Sequence, residues 1–106
     1  MTYPDLVERS ESVAAYLTAL ANAKRIHILS VLSEGEQSVG ALAGIVQLSQ
    51  SALSQHLAKL RAIEMVDTRR EGQTIYYSLS CGLTPHVFSL LEKSEVPGEK
   101  KRSLRA

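Results

Sequence analysis

A break of three residues, Gln47-Leu48-Ser49, separates two short amphipathic stretches, and this spacing constrains the fold more than any other feature of the chain. Before the break, "VGALAGIV" carries Val39, Leu42 and Val46 as one apolar stripe. After it, "SALSQHLAKLR" repeats Leu53, Leu57 and Leu60 at i, i+4 and i+7, with Ala52 beside them. Both patterns have the helical period. Ser38 and Ser49 stand just before the two patterns, where a hydroxyl can accept a hydrogen bond from a free backbone N–H of the first turn. Two short helices joined so tightly form a helix-turn-helix.

The flanking segments complete the expected architecture. Residues 5–21 read as a first helix, with Leu6, Val13, Leu17 and Leu20 roughly on one face. Asn22 caps a second helix, "AKRIHILSVL", with Ile26, Leu29 and Leu32 inward, and Gly35 suits its left-handed close. After Ile63 the period falls from 3.6 to 2. "MVDTRR" and "QTIYYSL" read as two strands around a Glu71-Gly72 turn, with Ile75, Tyr77 and Leu79 inward. A last helix over residues 84–95 carries Val87, Phe88, Leu90 and Leu91, and Pro97-Gly98 stops it. The expected fold is mainly α with a small β-hairpin, in the order α-α-α-α-β-β-α: a winged helix-turn-helix. Residues 1–96 form the domain, and 97–106 a disordered basic tail.

The outward face of the helix after the break is unusual. It holds Gln50, Ser51, Ser54, Gln55, His56, Ala58 and Lys59, with no acid in its first two turns. A helix that only needs solubility usually takes long charged side chains. Hydroxyls and amides both donate and accept, which suits the edges of bases in a DNA major groove, the groove that the second helix of this motif enters. An ordinary solvated face remains the alternative for this helix taken alone. Gln50, Ser51, Ser54, Gln55 and His56 are the candidates for base reading. Ser38 and Ser49 at helix starts, Lys59, and Arg69, Arg70, Gln73 and Thr74 of the hairpin are the candidates for phosphate or wing contacts. Solvated charges paired with Asp67 or Glu71 are the alternative for the two arginines.

Composition excludes several classes. The chain has 106 residues, 44% hydrophobic, which suits one domain with a modest core. No apolar run approaches the roughly 20 residues that span a membrane, and "MTYPDLVERS" does not read as a signal peptide. The single cysteine, Cys81, forms no internal disulfide, so the expected location is the cytoplasm. Cys81 reads as a small, partly buried residue, with a thiol acting between subunits as the alternative. Net charge is +1: residues 1–46 hold three basic and five acidic side chains, 47–81 four and three, 82–106 five and three. Positive charge therefore leans mildly toward the back half. With three scattered histidines, His27, His56 and His86, and one cysteine, the chain lacks the usual ligand set for zinc. No glycine-rich phosphate loop or oriented Cys–His pair supports catalysis. Neither an enzyme nor a cofactor is expected.

These residues resemble the ArsR/SmtB family of winged-helix transcriptional repressors over about Leu17 to Leu91. "LANAKRIHILSVL", "LSQSALSQHLAKLR" and "TRREGQTIYYSL" carry the resemblance, and the second is the most specific. It implies a homodimer joined through the first and last helices, here Val13, Leu17, Leu20, Val87, Phe88 and Leu91, and repression by occupying double-stranded operator DNA. Family members often carry proline at the position of Ala23 and glycine at that of Gln47, so Gln47 must take a backbone shape that glycine takes freely. Sensing positions also depart. The third helix has no cysteine pair, His86 has no second histidine one turn away, and Ser30 and Val96 stand where persulfide-sensing members carry cysteines. The expectation is a regulator without the usual metal or dithiol site. The alternatives are an effector-responsive sensor acting across subunits, and a winged-helix module for protein association.

Overall fold

A computed structural model describes residues 2–80 and 82–99. The elements run α1 (Pro4–Glu8), α2 (Ser10–Leu20), α3 (Ala23–Leu32), β1 (Gln37–Ser38), α4 (Val39–Val46), α5 (Gln50–Ala62), β2 (Val66–Glu71), β3 (Thr74–Leu79) and α6 (Leu83–Lys93). Two elements differ from the expected order. The first helix is interrupted at Arg9, whose backbone leaves helical geometry at φ −101°, ψ 21°. A two-residue strand before α4 extends the hairpin into a three-stranded antiparallel sheet of order β1-β3-β2. So short a segment shows no period, and only its pairing of Gln37 with Tyr77 and Ser38 with Tyr76 reveals it. Cys81 and residues 100–106 lie outside the described residues, and so do the expectations for them. Pro97 and Gly98, at the start of the expected tail, form a turn in which the Glu99 N–H donates to Val96 at 3.2 Å.

One core joins the helices. It is built from Ile28, Leu29 and Leu32 of α3, Leu42, Ala43 and Val46 of α4, Leu53, Leu57 and Leu60 of α5, and Met65 and Val66 at the entry to β2. Each large aliphatic side chain removed from water there contributes about 1.5–3 kcal/mol. The α3 stripe corrects the expected one. Ile26 is 42% exposed, whereas Arg25, Ile28, Leu29 and Leu32 are buried at i, i+3, i+4 and i+7. The first-helix stripe also needs correction: Leu6 and Leu17 are exposed, and Ala19 and Leu20 are the buried pair.

Arg25 is a charge inside this shell, 8% exposed. Its Nε donates to the Ala19 carbonyl at 2.6 Å and its Nη2 to the Thr18 carbonyl at 3.2 Å. Both carbonyls belong to the last turn of α2, where the negative end of the helix dipole favours a cation, and the Thr18 carbonyl also accepts from the Ala21 N–H at 3.1 Å. The Asn22 side chain caps α3 by accepting from the Arg25 N–H at 3.0 Å. Tyr16 and Thr84 share a 2.9 Å hydroxyl–hydroxyl hydrogen bond that brings α2 against α6, a contact without any sequence signal at a separation of 68 residues.

Candidate nucleic-acid interface

The turn between α4 and α5 depends on the backbone of Gln47, which sits at φ 58°, ψ 49°. This is the left-handed region, costly for a residue with a Cβ. The Leu48 N–H then donates to the Ala43 carbonyl at 3.1 Å, satisfying the end of α4 and turning the chain toward α5. Lys24 adds a hydrogen bond to the Val46 carbonyl at 3.3 Å. Ser38 and Ser49 cap the two helices as their positions implied, accepting from the Ala41 and Ala52 N–H groups, each at 3.1 Å. At its far end α5 closes on Glu64, at φ 62°. There the Glu64 N–H donates to Arg61 and the Met65 N–H to Leu60, both at 2.9 Å.

Burial of Leu53, Leu57 and Leu60 settles the orientation of α5. With those three inward, Gln50, Ser51, Ser54 and Gln55 are exposed, as is Lys59, and His56 is half-buried at the flank. His56 lies below the usual histidine pKa, chiefly because of burial and further because Arg25, Lys59 and Lys24 are nearby. Both causes favour the neutral imidazole.

The hairpin stands across from this helix. Val66 pairs with Leu79 and Glu71 with Thr74, leaving Gly72-Gln73 as the two-residue loop, one residue beyond the expected turn. The positive φ of 63° falls on Gly72, the first loop residue, as in a type II′ turn. Between the hairpin and the helix-turn-helix lies an open cleft of about 520 Å³, lined in part by Ser38, Gln50, Ser54, Gln73, Thr74 and Ile75. Five expected site residues, Ser38, Gln50, Ser54, Gln73 and Thr74, thus meet around one cleft. Ser51, Gln55, His56 and Lys59 lie on α5 outside its lining. Arg70 pairs with Ile75 and so shares the face of the sheet that carries Ile75 and Tyr77, though Arg70 itself is outside the lining of the cleft.

Arg69 points the other way. Its Nη2 donates to Glu36 Oε1 at 2.8 Å and its Nε to Glu36 Oε2 at 2.9 Å, with Glu71 3.8 Å away. Its pKa is raised, first by the hydrogen bond to Glu36. Glu36 was not among the expected site residues. It lies 33 residues from Arg69, and no local pattern connects the two.

The expected dimer residues differ in exposure. Leu17 and Leu91 are 53% and 45% exposed, Val13 is half-buried, and Val87 and Phe88 pack against the core. Leu20 belongs to the core of a single chain at 7% exposure, so its side chain is not available to a seam. The reason is the position of α3, which covers the Ala19–Leu20 end of α2.

A family model described as "Bacterial regulatory protein, arsR family" matches residues 22–68, the segment from the α3 cap into β2. The nodulation protein NolR of Rhizobium meliloti is 58% identical over 77 residues, which make up 73% of this chain and 63% of that protein, so the chain spans less than two thirds of this relative. The transcriptional activator HlyU of Vibrio cholerae is 42% identical over 93 residues, 88% of this chain and 86% of its own. Among solved structures, the homodimeric winged helix-turn-helix DNA-binding domain Mb0332 of Mycobacterium bovis superposes with a TM-score of 0.74 at 30% identity, covering 86% of this chain and 84% of that one. With a relative at this identity matched over most of its length, and with the helix-turn-helix and three-stranded wing in place, the chain belongs to the ArsR family of bacterial regulatory proteins.

Proposed function

We propose that this chain is a sequence-specific DNA-binding transcriptional regulator, acting as a homodimeric repressor that occupies an operator at a promoter. The observation that carries the reading is the acid-free face of α5: Gln50, Ser51, Ser54 and Gln55 are all exposed on the second helix of a helix-turn-helix, beside a cleft closed on its other side by the wing. Glutamine pairs bidentately with adenine, and serine bonds to either donors or acceptors on base edges. Ser38 and Ser49, with the N–H groups they leave free at two helix starts, hold phosphates. Lys59, Arg70, Gln73 and Thr74 anchor the flanks, and His56 sits at the edge of the reading face. In the dimer, two α5 helices lie about 34–36 Å apart, one turn of DNA or a multiple of it.

The deciding measurement is binding to the duplex upstream of the chain's own gene against a scrambled duplex, across a salt series. Tight binding to the first and weak binding to the second, both weakening with salt, is the expected result. Equal weak binding to both contradicts an operator at that site and calls for selection from random duplexes. Absence of binding at low salt turns the reading to a protein-association module. The exposed α5 face counts against that alternative, because it offers no aromatic or large aliphatic anchor.

A further inference from the structure

We infer that Arg69 is a positioning residue of the wing rather than a phosphate contact, and that Glu36 is its partner in a side-chain strut across the sheet. The inference deepens the DNA-binding reading above and rests on it for its consequence, though not for its geometry. The sheet order is β1-β3-β2, so β1 and β2 do not touch. Arg69 of β2 pairs with Tyr76 of β3, and Tyr76 pairs in turn with Ser38 of β1. Glu36 lies two residues before Ser38 and therefore on the same face. The Arg69 guanidinium crosses β3 over the Tyr76 ring, 4.4 Å from its centroid, and ends in two hydrogen bonds to the Glu36 carboxylate at 2.8 and 2.9 Å. One side chain thus reaches from β2 over β3 to the residue just before β1, stacked in the middle and forked at the end.

This arrangement uses the planarity of arginine, which lysine lacks. It also commits the Arg69 guanidinium to Glu36. Alternation along β2 leaves Arg70, paired with Ile75, on the opposite face of the sheet, and no ion pair engages Arg70 among the described residues. An exposed pair of this kind adds little to global stability. What it sets is direction: β2 is tied to the segment that leads into Ser38 and α4, so the wing keeps a defined angle to the helix-turn-helix. The base-reading face and the wing then meet one duplex together.

The test exploits opposite signs. If Arg69 were a phosphate contact, Glu36→Gln would free a cation and remove an anion, so binding would tighten and its salt dependence would steepen. Arg69→Lys would then be nearly silent. The strut requires the reverse. Glu36→Gln and Arg69→Lys should each weaken binding to the specific duplex by about 3- to 10-fold, with the slope of log K against log salt unchanged. Arg70→Ala should make that slope shallower by about 0.9, and Arg70→Lys should restore it. In the free protein, amide hydrogen exchange in β2 and β3 should quicken in Glu36→Gln and Arg69→Lys, with the α3 and α5 core amides unmoved. Tighter binding by Glu36→Gln, a silent Arg69→Lys, or unchanged exchange in the wing would each overturn the strut. A wild-type protein that binds no duplex would sink the DNA-reading proposal instead, and the exchange data would still decide the strut.

Discussion

In the proposed reading Gln55 is the side chain expected to discriminate bases most directly, since it is exposed midway along α5 with no acid nearby on the helix. Gln55→Ala should cost about 1–3 kcal/mol on the operator and relax preference at one base pair, with little change on random DNA. Equal losses on both duplexes would remove Gln55 from reading. His56 supplies a pH test. Its folded pKa is lowered, so the unfolded chain takes up a proton first as pH falls below about 6.5. Its contribution to stability is therefore present above that pH and lost as pH drops through the folded value. A nearby phosphate works in the opposite sense, favouring the imidazolium. Operator affinity should accordingly rise as pH falls from 7.5 toward 6, with proton uptake measurable by titration calorimetry in buffers of different ionisation heat. The dependence should flatten in His56→Gln. A pH-independent affinity in the wild type would place His56 away from the phosphates.

Helices α4 and α5 end alike, each in a left-handed residue that is not glycine. Gln47 at φ 58° and Glu64 at φ 62° both let the next amide reach back to the carbonyl five residues earlier, Leu48 to Ala43 and Met65 to Leu60. The strain is the cost of a Cβ in that region, offset in part by the entropy that glycine would lose on folding. Gln47→Gly and Glu64→Gly should each stabilise the chain by about 0.5–1 kcal/mol, visible as a higher Tm. A lower Tm would mean that these side chains make stabilising contacts of their own. The helix between them is held by its core face. Leu57→Ala, at a position 1% exposed, should destabilise by about 2–5 kcal/mol in denaturant titration while leaving the polar face chemically intact.

At the scale of the whole molecule the question is what covers α2 and α6. The Tyr16–Thr84 hydrogen bond holds the two helices together, and both carry leucines in water: Leu17 on one, Leu83, Leu90 and Leu91 on the other. We propose that a second copy covers them, as the family resemblance implies. Light scattering at micromolar concentration should give twice the mass of the 106-residue chain. Leu17→Glu with Leu91→Glu should give the monomer mass and weaken operator binding by well over 10-fold, because each half-site then binds alone. A wild-type monomer under those conditions would contradict the dimer.

Local pattern was enough for the elements whose period is long enough to repeat. Leu53, Leu57 and Leu60 orient α5, the serines before α4 and α5 mark their starts, and alternation through "TIYYSL" marks a strand, because each signal is local and repeats within a few residues. It also placed the exposed polar face of α5, since burial of one stripe leaves its complement outside. The remainder came from long-range packing. Strand β1 has two residues and exists only by pairing with β3. Leu20 and Ile28 went inward, and Ile26 outward, according to how α2 and α3 pack, a choice that a short apolar run leaves open. The bond from Glu36 to Arg69 joins residues 33 apart and crosses β3. Such contacts depend on register and on the angle between elements, which the energy of the whole core sets and no local pattern encodes.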